Sequence, residues 1–436
     1  MGGYALGSGS LTFVHAADLH LDSQFKGLER TVAGGGEIPE NVLRRLRNSS
    51  FEAFNNIVDL CINKKIDFLL LAGDIYDVAD KSLRAQLRFR DGLVRLADAG
   101  IPAFVVHGNH DHCAGWRAEI KLPETVHVFS DREVESRPVL RGGREIAGVS
   151  GISYPGRAVV ENYAGRFARG AGVPFAVALL HCNVGGIKGH ENYAPCGLDD
   201  LMQKGFDYWA LGHVHNRAVL NPAGPCVAYP GCPQGRHPRE TGEKGCLLVH
   251  VTENNNISVE FFPTAPVRWE SVAVSIEGIA DDLTLLETIE DRLLRFRTAA
   301  GGKPIVARVL LNGRGFLHRN LVRVSYAENL VQELRNRLPA EEEDFLWLDS
   351  VRVATSAEVD KNELSGTDTL LGDFLSLIKE ARVDRDLKTE LRKTLSALIE
   401  HPRAGRYLTE PDDDELGELL ESAGDLAVDL LWDGEE

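Results

Sequence analysis

Residues 67–74 read DFLLLAGD: five apolar positions in a row, closed by a glycine and an aspartate. A run that short, bounded by turn residues, fits a β-strand buried on both faces, with Asp74 just past its end. The same construction recurs four times: LTFVHAADLH (11–20) carries Asp18 and His20, and AFVVHGNHD (103–111) carries Asn109 and His110. FAVALLH (175–181) ends on His181, and DYWALGHVH (207–215) on His213 and His215. Helical spacing over 39–64 and 82–99 separates the early strands. The alternation predicts an α/β fold, a β-sandwich of packed sheets flanked by helices over 11–265.

Strand ends gather along one edge of an α/β sheet, where ligands bind. Five strands therefore deliver their polar residues to one place. Gly73, Gly108 and Gly212 beside them permit tight turns and close backbone approach. Carboxylate, amide oxygen and imidazole together suit hard to borderline divalent ions, and the lack of thiolates argues against a structural zinc site. Seven ligands exceed one ion's needs and match two if a carboxylate bridges. Two ions about 4 Å apart clamp the oxygens of an in-line displacement at phosphorus and activate the attacking hydroxide.

The series D-x-H, G-D, G-N-H-D, H and G-H-x-H resembles the calcineurin-like metallophosphoesterases. The resemblance implies that Asp18, His20, Asp74 and His215 hold one metal and that Asp74, Asn109, His181 and His213 hold the other. His110 would be the catalytic residue, steadying the phosphate and protonating the leaving oxygen, a role suited to imidazole. Asp111 either orients the His110 region or caps the next turn. His107 and His112 are read as packing or exposed residues.

Within that superfamily, VHAADLHLDS, GDIYD, NYAPCGLDDL, FDYWALGHVH and YPGCPQGRHPRETGEKGC resemble bacterial DNA repair exonucleases of the SbcD/YhaO type. This type implies a manganese-dependent DNA nuclease, with iron or zinc as alternative metals. It also implies an SMC-like coiled-coil ATPase partner, and dimerisation is common in it, though no homodimer interface is legible here. Arg236 and His237 are candidate substrate contacts. Arg236 suits a phosphate, with a surface carboxylate as the alternative; His237 is equally a packed loop residue. Cys182 and Cys232 stand where the type has Thr and Ser or Asn. Two other readings remain: a phosphatase or phosphodiesterase for a nucleotide, phosphoprotein or lipid pyrophosphate, and a DNA-end clamp without essential catalysis.

Outward from this core, residues 1–10 read as a flexible N-terminus without a signal peptide. Residues 267–355 alternate strand and helix as a small α/β capping domain, and 368–436 form a helical region with an acidic tail. The 368–400 helices are either a partner-docking pair or ordinary core helices. The chain has 436 residues and a net charge of −17, but residues 1–267 hold 27 Lys+Arg against 29 Asp+Glu. Residues 410–436 hold twelve acidic residues and no Lys or Arg, so the charge does not exclude a nucleic-acid substrate. The tail is read as equally a solvated extension or a docking helix. Seven cysteines without a C-x-x-C pair fit a reducing cytoplasm, and no apolar run is long enough for a membrane span.

Overall fold

The computed structural model describes residues 10–23, 25, 38–116, 118–187, 191–359, 361–401, 405, 408 and 410–432. The N-terminal segment expected to be flexible lies, but for Ser10, outside the described residues.

The first part of the chain runs β1 (Leu11–Ala16), α1 (Glu40–Lys64), β2 (Phe68–Ala72), α2 (Leu83–Asp98), β3 (Ala103–Val106) and β4 (Val126–Val128). It continues with β5 (Glu135–Arg141), β6 (Arg144–Gly151), β7 (Ala176–His181), α3 (Leu198–Met202), β8 (Tyr208–Gly212), β9 (Ala218–Asn221), β10 (Cys226–Tyr229), β11 (Gly245–Val251) and β12 (Ile257–Pro263). Two six-stranded sheets result, in the orders β12-β11-β1-β2-β3-β4 and β5-β6-β7-β8-β10-β9. The central pairs β1–β2, β2–β3, β6–β7 and β7–β8 are parallel. Their C-terminal ends therefore point the same way within each sheet.

The continuous apolar runs follow from burial on both faces. In β2, Phe68, Leu70 and Ala72 face the second sheet, where they meet Val177, Leu179, Tyr208 and Ala210. Leu69 and Leu71 face the other way, onto Phe54, Ile57 and Val58 of α1 and Phe89 and Leu93 of α2. Alternate residues of the second sheet (Ala178, Leu180, Trp209, Leu211) build a third apolar layer with Tyr154 and Phe167. The molecule is mixed α/β, with two packed sheets and flanking helices, as the alternation predicts.

The apolar run Leu247–Val251 also reads as a strand and is β11, whereas β4, β5, β6, β9, β10 and β12 go beyond the strands read from the sequence. Several are short or lie at sheet edges, where half-exposed positions dilute the apolar signal. β5 carries Pro138, which an edge strand tolerates because one side of it needs no donor.

The chain then forms β13 (Arg268–Ser275), α4 (Asp282–Ala299), β14 (Ile305–Arg314), α5 (His318–Leu321), α6 (Val324–Arg337) and β15 (Leu346–Ser356). These strands make a parallel sheet with β14 central, covered by Leu285, Ile289 and Leu293 of α4 and Leu330 and Leu334 of α6. A second cluster joins this unit to α1: Val42 and Leu46 pack with Trp269, Val306, Phe345 and Trp347.

Helices α7 (Lys361–Leu364), α8 (Leu370–Ala381), α9 (Arg385–Ile399) and α10 (Asp413–Leu431) follow. The acidic tail is not a solvated extension over its described length. Leu416, Leu420, Ala427 and Val428 of α10 are buried, Asp425 pairs with Arg314 and Lys361, and Asp429 lies 3.2 Å from His318 Nε2. No helix among the described residues is long and apolar enough to cross a membrane.

Candidate metal centre

All seven predicted ligands converge where β1, β2, β3, β7 and β8 end. The turns after β1 and β2 are laced together by Asp18 N to Gly73 O and His20 N to Asp74 O, both 3.0 Å. The His213 amide donates to Asp18 Oδ1 at 3.1 Å, tying β8 to β1. Asp111 settles the choice left open for it. It is fully buried, and its carboxylate accepts from the amides of Gly108 (2.6 Å), Asp74 (3.2 Å) and Ile75 (3.0 Å) while pairing with His107 (2.8 Å). It orients the turns after β2 and β3, and His107 is a buried partner of that carboxylate.

Four of the predicted ligands sit in the left-handed backbone region: Asp18 (φ 54), His20 (φ 43), Asp74 (φ 54) and His213 (φ 98). Each such residue costs ~1–3 kcal/mol and persists where the surroundings hold it for function. Gly108 is required by contact: a Cβ there would lie 2.7 Å from His181 Nε2.

Hydrogen bonds set the imidazole tautomers. His181 Nδ1 donates to Ala72 O (2.9 Å), leaving a lone pair on Nε2, which faces Asn109 Oδ1 at 3.0 Å. His213 Nε2 donates to Glu191 O (2.6 Å), leaving Nδ1 facing the same oxygen at 3.2 Å. His215 Nδ1 donates to Glu240 Oε1 (2.5 Å), leaving Nε2 facing His20 Nε2 at 3.4 Å. Asp74 Oδ2 lies 3.4 Å from His181 Nε2 and 3.8 Å from His20 Nε2, between the two halves. The oxygens of Asn109 and Asp74 thus crowd the imidazole nitrogens of His181 and His213 in a buried pocket. A cation in each half relieves this, so the residues fit a pair of divalent ions. Asp18, His20 and His215 form one ligand cluster and Asp18, Asp74 and His181 another.

The local charges show the same demand for positive charge. Burial would lower His181, but the Asp74 carboxylate and then Asp18 outweigh it and raise it to about 9, so without an ion its Nε2 takes a proton. Burial raises the Asp18 carboxyl to about 6, against the pull of His215 and His181. For Asp74, burial also acts upward, but His181, His20 and His110 outweigh it and hold the carboxyl well below its usual range. Burial and the nearby Arg236 charge lower His20 to about 4.

His110 differs from the predicted ligands. Its side chain is 35% exposed, whereas those of His20 and His181 are fully buried. Its amide donates to Asp74 Oδ1 (2.9 Å), and its Nδ1 is bonded to Asp77. Burial would lower its pKa, but the Asp77 bond and the Asp74 charge raise it. Ser23 Oγ in turn donates to Asp77. Sequence reasoning missed Asp77, although GDIYD places it three residues after a ligand on the same turn. Glu240 was missed as well; its only signal was a carboxylate in the distinctive 229–246 stretch.

Arg236 is 9% exposed, and its Nε is buried without a hydrogen-bond partner among the described residues. Its charge reaches His20 and His110. No ion pair between it and a surface carboxylate is present among the described residues. His237 is half-buried, and its Nδ1 accepts from Arg239 N at 3.1 Å.

A family model described as calcineurin-like phosphoesterase matches residues 11–217, and one described as metallophosphoesterase YhaO, middle domain, matches 269–356. The uncharacterized metallophosphoesterase YhaO of Bacillus subtilis (strain 168) is 37% identical over 413 residues, 95% of this chain and 96% of that protein. The DNA double-strand break repair protein Mre11 of Sulfurisphaera tokodaii is 27% identical over 39% of this chain and 44% of that protein. The SbcD component of the SbcCD nuclease of Bacillus subtilis (strain 168) is 21% identical over 61% of this chain and 70% of that protein. With the ligand turns, the sheet topology and a relative of nearly the same extent in agreement, the chain belongs to the calcineurin-like metallophosphoesterases of the YhaO kind, hydrolases of phosphoester bonds that work at a pair of divalent metal ions.

Proposed function

We propose that this chain is a manganese-dependent DNA nuclease, the exonuclease component of a repair complex. The observation that carries the phosphoester chemistry is the convergence of acceptor atoms from five strand ends around Asp74, with His110 and Arg236 alongside. Asp18, His20, Asp74 and His215 hold one ion; Asp74, Asn109, His181 and His213 hold the other. When bound, the ions activate water and polarise the phosphoryl group.

The chain's own residues do the rest. Asp77 fixes the His110 ring through Nδ1, so Nε2 is the atom offered to the leaving oxygen, to which it gives a proton. Arg236 presents a guanidinium, the group best shaped to pair with a phosphate, to the side of the site where His20 and His110 lie. Asp74, His20 and His181 are sealed from solvent, whereas His110 and His215 are partly open to it.

DNA as substrate is supported by the likeness to the Mre11 and SbcD proteins and by the near-neutral charge of residues 1–267. The same likeness supports an SMC-like ATPase partner. Helices α8 and α10 offer it exposed Leu370, Leu377, Leu426 and Leu430.

The test is incubation of the full chain, alone and with its ATPase, with manganese and linear duplex or single-stranded DNA. Release of nucleotides that Asp74→Asn abolishes supports the reading. Intact DNA under every condition, with turnover of a small phosphodiester retained, would move the substrate away from DNA.

A further inference from the structure

The connection between β10 and β11 follows a path that metal ligation alone does not require. Gly231 has φ +77, and a Cβ there would lie 2.8 Å from His215 O and 2.9 Å from Arg217 N. The Cys232 amide donates to His215 O at 3.2 Å. One side of this strap therefore runs against the turn that carries His213 and His215. Its other side is sewn to the start of β13. Trp269 Nε1 donates to Gly235 O (3.2 Å), the Gln234 side chain exchanges two bonds with the Val267 backbone (2.9 and 3.3 Å), and Gly242 N donates to Trp269 O (2.9 Å).

Glu240 lies at the centre of the strap. Its Oε1 accepts from His215 Nδ1 at 2.5 Å, and its Oε2 accepts from the amides of Arg236 (2.6 Å) and His237 (3.2 Å). Its own amide donates to His237 O at 2.8 Å. His215, Cys232 and Glu240 lie close enough together to suggest a third cation site. The hydrogen bonds argue otherwise: both carboxylate oxygens are taken by N–H donors, and His215 spends Nδ1 on one of them. An ion there would displace three hydrogen bonds.

We propose that Glu240 is a positioning residue for phosphodiester hydrolysis that serves both halves of the site at once. It sets the tautomer of His215, so that Nε2 carries the lone pair that meets the metal. It also pins the backbone at 236–237, so that the Arg236 guanidinium stands where a substrate phosphate arrives. This rests on the metal and phosphate reading given above. A carboxylate behind a metal-bound histidine is a recurring arrangement; sharing that carboxylate with an anion-binding loop belongs to this strap.

Glu240→Gln separates the two duties with almost no change in volume. The amide has one oxygen, and two backbone N–H groups claim it. Its NH2 then faces His215 Nδ1, which must accept, and the His215 proton moves to Nε2, the metal-binding atom. Manganese titrated into the metal-free full chain fills two sites in the native protein. In Glu240→Gln one site weakens about 10–100-fold, the metal-free melting temperature is unchanged, and excess manganese restores turnover of bis(p-nitrophenyl) phosphate at native KM. Glu240→Ala weakens the same site and raises KM, whereas Arg236→Ala raises KM with native manganese binding. Native manganese binding in both Glu240 variants overturns the proposal and leaves the metallophosphoesterase reading standing. So does a lowered metal-free melting temperature in Glu240→Gln with no rescue by manganese, which makes the residue structural only. A native chain that binds no manganese and cleaves no diester removes the reading underneath.

Discussion

His110 and Asp74 are joined by one hydrogen bond yet have opposite surroundings: Asp74 is sealed, and His110 is partly open with its ring held by Asp77. Replacing His110 with Gln leaves the ligand atoms in place. The expected result is a fall in kcat of about 10²–10⁴ with two manganese ions still bound, checked by metal analysis beside steady-state kinetics. His15 gives a separate prediction about stability. Its Nε2 donates to Leu211 O (3.1 Å), its Nδ1 accepts from Tyr208 OH (3.0 Å), and burial pushes its pKa down from 6.5 to about 3. Between these values the unfolded chain takes up a proton that the folded chain refuses. The His15 contribution is therefore complete above pH 6.5 and is lost progressively as the pH falls from there towards 3. His15→Gln should flatten the pH dependence of unfolding free energy below that point by up to about 1.4 kcal/mol per pH unit. Urea melts of both proteins at several pH values would show it; parallel slopes would refute it.

β1, β2 and β8 each lead directly into a residue held in the left-handed backbone region (Asp18, Asp74 and His213), so these strand ends themselves aim the site. Their apolar runs are legible because two-sided burial leaves no polar interruption, and the glycines mark where the backbone comes closest. Edge strands such as β5 and β12 are hard to read for the converse reason, since solvent on one side admits Arg, Glu and Pro. In α10, the Asp412 side chain accepts from the amides of Asp414 and Glu415 (3.0 and 2.9 Å), and Glu415 reciprocates to the Asp412 amide (3.1 Å). Asp412→Ala should destabilise the helix by about 1 kcal/mol. Faster amide exchange across residues 413–431, with exchange in β2 unchanged, is the expected readout. The acidic character of this segment was plain in its sequence. Its partners, Arg314 and Lys361, were not, because they lie far away in the chain.

For the whole molecule, the strap runs against the turn that carries His213 and His215 on one side and is bonded to the start of β13 on the other, so ions bound at the site would be linked to the stability of the fold. Any ion that binds only the folded chain stabilises it, by about 2.7 kcal/mol per site at a hundred times its dissociation constant. Chelation should therefore lower the melting temperature of the native chain, and added manganese should restore it. Asp74→Asn should melt at the same temperature with or without manganese. A native chain whose melting ignores both treatments would contradict the assignment of these residues as ligands. Val42 and Leu46 of α1 pack with Trp269 and Trp347 of the third sheet.

The five strands that carry the predicted ligands Asp18, His20, Asp74, Asn109, His181, His213 and His215, and the strand–helix order of 267–355, were legible in the sequence. Local pattern suffices for these, because period, turn residues and strand ends are properties of neighbours in the chain. The partnership of Asp77 with His110, the locking of the turns by Asp111, the bond of Glu240 to His215 and the packing of the acidic helix arise only where distant segments of the chain meet. A carboxylate in a loop gives no local sign of its partner. Which imidazole, amide or guanidinium it meets depends on how distant segments close on one another, as Glu240 meets His215 across the strap.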